Sequence, residues 1–152
     1  MHLASYIHLL EQGSSTLADS YAVLAEGHPE EAEIVAQATR FQAQCRRHAA
    51  RLGPARERYG DHPAPPPDRL HQPGLEQARS GGLGLLRDLH EVQNYASHLQ
   101  IAWTIVGQAA KGNTDEELVS VAESCRGEMA LQVAWLTTQV KTASAQVLLV
   151  AE

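Results

Sequence analysis

The sequence predicts an all-α protein: an antiparallel four-helix bundle with one long crossover between its second and third helices. Three observations predict it. Apolar residues recur at three- and four-residue steps over four long stretches, the spacing that puts one stripe on a helix of 3.6-residue period. Tight breaks at Gly27-His28-Pro29 and Gly112-Asn113-Thr114 join these stretches in pairs, and short connections make antiparallel neighbours. Between the pairs lies a Pro-rich segment, about residues 54–82, long enough to run the length of a bundle and let the second and third helices lie parallel.

The first helix is expected over about 3–26, with Leu3, Ile7, Leu10, Ser14, Leu17, Tyr21 and Leu24 on its stripe and Gly27 ending it. The second is expected over about 29–52, with Pro29 in its first turn and a stripe of Ile34, Ala38, Phe41, Cys45, His48 and Leu52. Gly53-Pro54 interrupts it, and Ala55 to Tyr59 add a kinked turn. In the crossover, Pro63, Pro65, Pro66, Pro67 and Pro73 favour extended backbone. The third helix, about 83–111, carries Leu85, Leu89, Val92, Ala96, Leu99, Trp103, Val106 and Ala110 on one side and Ile101 and Ile105 on the other. A helix apolar on two sides is central or part of a subunit contact. The fourth, about 115–143, opens on Thr114-Asp115-Glu116-Glu117, read as a capping box with Thr114 as the cap. Its stripe is Leu118, Ala122, Cys125, Met129, Gln132, Leu136, Val140 and Ala143. The apolar run Gln146 to Val150 is expected to fold back on the bundle or onto a partner subunit.

Composition removes several function classes. The chain has 152 residues, one domain's worth, and a formal charge of −6, with its arginines scattered along the sequence. Nucleic acid needs a concentrated basic surface and is not expected as a partner. No apolar run approaches the roughly 20 residues of a membrane span, and the first residues lack the layout of a signal peptide. Two distant cysteines make no disulfide framework, so a reducing cytoplasm is expected.

The interior positions carry what chemistry there is. A di-iron or di-manganese bundle takes a Glu from each of two helices and a Glu-x-x-His from each of the others, because residues three apart share a face. Here the second helix reads Cys45-Arg46-Arg47-His48 and the fourth Cys125-Arg126-Gly127-Glu128, while the first places Ser14 at its centre. Length, crossover placement and the Cys45-x-x-His48 remnant resemble the ferritin-like superfamily over essentially the whole chain. The stretch from Cys125 to Val150, with Gln132-Val133-Ala134-Trp135-Leu136 and Lys141-Thr142-Ala143, is similar to a group of bacterial ferritin-like four-helix-bundle proteins of no established activity. The resemblance implies the fold and possible oligomerisation. It does not carry over the iron chemistry, because the ligand positions differ.

Three functional readings remain open on the sequence. The first is a binding or scaffold module, a homodimer with possible protein partners, needing no cofactor. The second is a soft-metal or thiol-redox site of Cys45, His48 and Cys125, completed by Glu128 or Glu11, with zinc or copper suiting thiolate and imidazole. The third is a small-molecule carrier with a core pocket near Ser14, His48, Tyr95 and Gln132. The plain alternatives are that both cysteines are small core hydrophobes and that His48 is a core histidine bonded to Glu11, Ser14 or Glu128. Asp88, Glu91, Tyr95 and His98 form one row, read as a solvated flank or as a polar seam.

Overall fold

The computed structural model describes residues 2–60 and 72–150, and among these every regular element is helical. Four long helices, α1 (His2–Gly27), α2 (Ala32–Arg51), α4 (Gly81–Gly112) and α5 (Glu116–Val150), are joined by a short α3 (Gly53–Tyr59). Prolines 63, 65, 66 and 67 of the expected extended crossover lie outside the described residues.

The stripes read from the sequence become the core. Ile7, Leu10, Leu17, Tyr21 and Leu24 of α1, and Ile34, Ala38 and Cys45 of α2, are at most 4% exposed. Leu89, Val92, Ala96, Leu99, Trp103, Val106 and Ala110 of α4 and Leu118, Ala122, Cys125, Met129 and Leu136 of α5 are likewise sealed from water. Each apolar stripe stabilises its helix by burial against the other three, at roughly 25 cal/mol per Å² of apolar surface removed from water. Tyr21 packs on Phe41 at 5.5 Å between ring centroids, and Phe41 meets Trp135 edge-on at 5.6 Å, so aromatic contacts run from α1 through α2 to α5.

The helix ends correct the expectation in four places. Pro29 sits in the turn between α1 and α2, closed by Glu31 N–H donating to the His28 carbonyl at 3.1 Å, and α2 begins only at Ala32. Leu52 keeps right-handed backbone and Pro54 falls in the first turn of α3, where its missing N–H costs nothing, so the break at Gly53-Pro54 makes a new helix. Thr114 does not cap α5: its φ is +54°, and the cap is Asp115, whose Oδ1 accepts from Leu118 N–H at 3.0 Å. Finally, α5 does not fold back. It stays helical to Val150, leaving Leu148, Leu149 and Val150 65–83% exposed.

The end of the crossover is fitted closely to α1. Residues 72–80 run without regular structure toward the start of α4. Leu75 is buried, and Gly74 lies where a side chain would meet Ser20 Oγ at 2.4 Å. Farther along, a methyl group on Gly27 would stand 2.0 Å from Ala78 Cβ. Gly27→Ala should therefore cost about 1–3 kcal/mol by overpacking. Urea denaturation checks this, with the loss largely recovered in the Gly27→Ala/Ala78→Gly double variant.

Candidate functional site

The interior is built around one amide. Gln132 of α5 is fully buried on a stripe that is otherwise apolar apart from Cys125. Its Oε1 accepts from Tyr21 Oη of α1 at 2.9 Å, and its Nε2 donates to Gln44 Oε1 of α2 at 2.7 Å. Cys45 Sγ lies 3.7 Å from Oε1 and 3.6 Å from Nε2. The network joins α1, α2 and α5 with neutral groups, so no buried charge needs a counter-ion there. Burial pushes the Tyr21 phenol well above its usual range, with a smaller push from Cys45.

Farther from Gln132 along α2, toward its C-terminal end, lies His48, 1% exposed. It touches Trp103 of α4 edge-on at 5.9 Å between centroids, and its Nε2 stands 3.7 Å from Glu128 Oε2, beyond hydrogen-bond reach. Both ring nitrogens of His48 and the indole Nε1 of Trp103 lack a partner. The expectation that Glu11, Ser14 or Glu128 would bond His48 is therefore not met, and Glu11 is held by Arg56 Nη1 at 2.8 and 3.1 Å instead. Burial lowers the His48 pKa, against the opposing pull of Glu128.

The two thiols do not meet. Cys45 contacts Gln132, and Cys125 lies beside Arg51, whose Nη1 is 3.7 Å from Cys125 Sγ and 2.9 Å from Ser124 Oγ. Burial pushes the Cys45 thiol up to about 12 and the Cys125 thiol to about 11, so neither is a ready thiolate. Among the described residues no three His, Cys, Asp or Glu side chains are placed to hold one metal ion. Of the set Cys45, His48, Cys125 and Glu128, His48 and Glu128 come to 3.7 Å, and the Glu128 charge is also felt at both thiols.

The residues expected to line a core pocket are placed as follows. Ser14 is buried on α1 and Gln132 is taken up by its own network. Tyr95 stands against Gly13 and beside His98 at 6.1 Å between centroids, its phenol raised by burial and partly lowered by a hydrogen bond with Thr16.

No family model matches the chain. No curated protein and no solved structure matches it either.

Sequence reading missed a second polar centre. Of the two readings of the Asp88 row, a solvated flank does not hold at Asp88, whose carboxylate is wholly buried. It accepts from His28 Nε2–H at 2.8 Å, from Arg79 N–H at 2.9 Å and from Arg79 Nη1 at 2.7 Å. His28, met in the sequence only as part of a turn, is 1% exposed. Arg79 also pairs with Glu91, the next residue of that row. The signal available in the sequence was Asp88's position, one turn before Val92 on the stripe.

The two interior polar groups should respond oppositely to apolar replacement. Gln132→Leu leaves Tyr21 and Gln44 unpaired and should lower stability by about 2–4 kcal/mol. His48→Leu removes polar atoms that have no partner and should be neutral or stabilising by about 1 kcal/mol. Guanidinium denaturation midpoints of the two variants check the contrast in sign.

Proposed function

We propose that the chain is an antiparallel, ferritin-like bundle without a functional di-metal carboxylate site, acting as a non-catalytic binding or scaffold module and assembling as a homodimer. The topology is supported by how residue numbers run across each seam. Tyr21 meets Phe41 while Glu11 meets Arg56; Gly107 meets Ala122 while Gly82 meets Val147; Phe41 meets Trp135 while Arg51 meets Ser124. In every pair one number rises as the other falls, as neighbouring antiparallel helices require. Gly13 against Leu99 and His28 against Asp88 extend the same sense to α1 and α4. The α1–α2 and α4–α5 pairs joined by a long crossover are the ferritin-like wiring.

The observation that carries the functional reading is the Gln132 network. Where a di-metal bundle turns carboxylates inward, this interior turns an amide, a phenol and a thiol toward one another. Neutral groups that satisfy each other are poor ligands for hard cations. The dimer reading rests on apolar surface left without cover: Ile101 at 61% and Ile105 at 43% on the outer side of α4, and the tip of α5. Among the described residues no helix is long and apolar enough to cross a membrane.

A second reading has one observation in its favour. The unpartnered His48 imidazole lies 3.7 Å from the Glu128 carboxylate, a span that one zinc or copper ion could bridge. Elemental analysis of protein purified without chelator separates the two. The scaffold reading expects less than about 0.1 metal ion per chain. Stoichiometric zinc, copper or iron that is lost on His48→Ala or Cys45→Ala overturns it. For the assembly, sedimentation velocity at micromolar concentration should show a dimer that dissociates in Ile101→Lys/Ile105→Lys, and a wild-type monomer at that concentration removes the dimer.

A further inference from the structure

Residues 72–80 have neither helix nor strand to hold them, yet they are not loosely laid on the surface. They are fastened at two separated places by buried side chains from other elements. At the first, Leu75 N–H donates to Ser20 Oγ at 3.0 Å, while the same hydroxyl donates back to the Thr16 carbonyl at 2.9 Å. Ser20 is 1% exposed, and Gly74 and Leu75 press into the surface beside it. At the second, Arg79 gives both its backbone N–H and its guanidinium to Asp88. Asp88 in turn takes His28 Nε2–H from the turn after α1. A crevice of about 400 Å³ runs between the segment and α1, lined by Thr16, Asp19, Ser20 and Val23 across from Gln72 to Glu76.

We propose that residues 72–80 form a latched strap that opens as one unit while the four long helices stay packed, with Ser20 and Asp88 as its two latches. The physical basis is the mismatch in what each part loses on opening. The helices keep their own backbone ladders and their shared apolar core. The strap gives up one buried leucine, the Ser20 bond, the Asp88 clasp, the Arg79–Glu91 pair and the fit of Ala78 against Gly27. It has no ladder of its own, so partial release leaves little to hold the remainder, which makes opening of the whole segment the natural step. Release bares the seat of Leu75 on α1 and widens the adjoining crevice. This behaviour is independent of what the bundle binds.

Amide hydrogen exchange on the full chain, read by NMR, tests this. In the wild type the Leu75 and Arg79 amides should exchange at matching protection, at least about tenfold faster than the core amides of Leu17 and Leu89. Asp88→Asn loosens the Arg79 latch directly, and the Leu75 amide is the reporter. Ser20→Ala loosens the Leu75 latch directly, and the Arg79 amide is the reporter. Each reporter should speed up about tenfold or more, in proportion to the loss of a buried hydrogen bond, with Leu17 unchanged. If each variant speeds only the amide it touches, there is no single strap. If the wild-type Leu75 and Arg79 amides exchange only as slowly as Leu17, the strap opens only with the whole fold, and the proposal fails.

Discussion

Gln132 can be buried in this fold only if three helices arrive together. An amide has two donors and an oxygen acceptor, and taken out of water without partners it costs several kcal/mol. Tyr21 comes from α1, and Gln44 and Cys45 come from α2, each at a register set by its own apolar stripe. Sliding α2 by one turn against α5 would carry Gln44 and Cys45 away from the amide and leave its Nε2 without the Gln44 acceptor. Hydrophobic burial supplies most of the stabilisation, but it is tolerant of such slips, since one leucine replaces another with little change. The amide is not tolerant, and so it selects one register from several that the apolar stripes would accept.

His48 works the other way. It occupies the same face of α2 one turn from Cys45, but its ring nitrogens find no partner, and neither does the indole of Trp103 beside it. These groups add bulk to the core and subtract from its free energy. Glu128 stops 3.7 Å short of Nε2 and remains partly in solvent, where its charge is cheaper to keep. The interior thus contains one polar set that closes on itself and another that does not. The first set holds three helices in one register, and the second leaves Trp103 and His48 packed against each other as bulk alone.

The four core stripes were legible because they depend on a local periodicity. Every residue from Ile7 to Leu24 and from Leu85 to Ala110 assigned to a stripe is buried. Gly53-Pro54 was legible for the same reason, as punctuation within a few residues. Asp88 was not, because what decides its burial is Arg79, which meets it across the start of α4, and His28, 60 residues earlier in the chain. A carboxylate beside an apolar stripe reads as solvated unless its partners are known. The cap of α5 slipped by a single residue because Thr114 takes positive φ, a conformation nothing in Thr-Asp-Glu-Glu announces. Among the proposed site residues, placement on a helix was readable: Ser14, Tyr95 and Gln132 are all buried, while the bonds from Gln132 to Tyr21 and Gln44 depend on residues 88 to 111 positions away.

The two ends of the crossover are secured by the same device. Where it begins, α3 is pinned to the α4–α5 turn by Asp115, which accepts from Arg58 Nη2 at 2.9 Å and Tyr59 Oη at 2.8 Å while capping α5. Burial would raise this carboxyl's pKa, but the Leu118 N–H, Tyr59 and Arg58 bonds outweigh it and hold the group below its usual range. Where the crossover finishes, Asp88 gathers Arg79 and His28 beside the α1–α2 turn. One aspartate therefore ties the crossover to each helical hairpin, at a place where backbone N–H groups and an arginine converge. Residues 72–80 of this connection have no helix or sheet bonding to draw on. Fixing its two ends with charge-assisted hydrogen bonds restricts the chain where restriction is most effective, since closing the ends of a loop costs entropy that rises only slowly with the length between them.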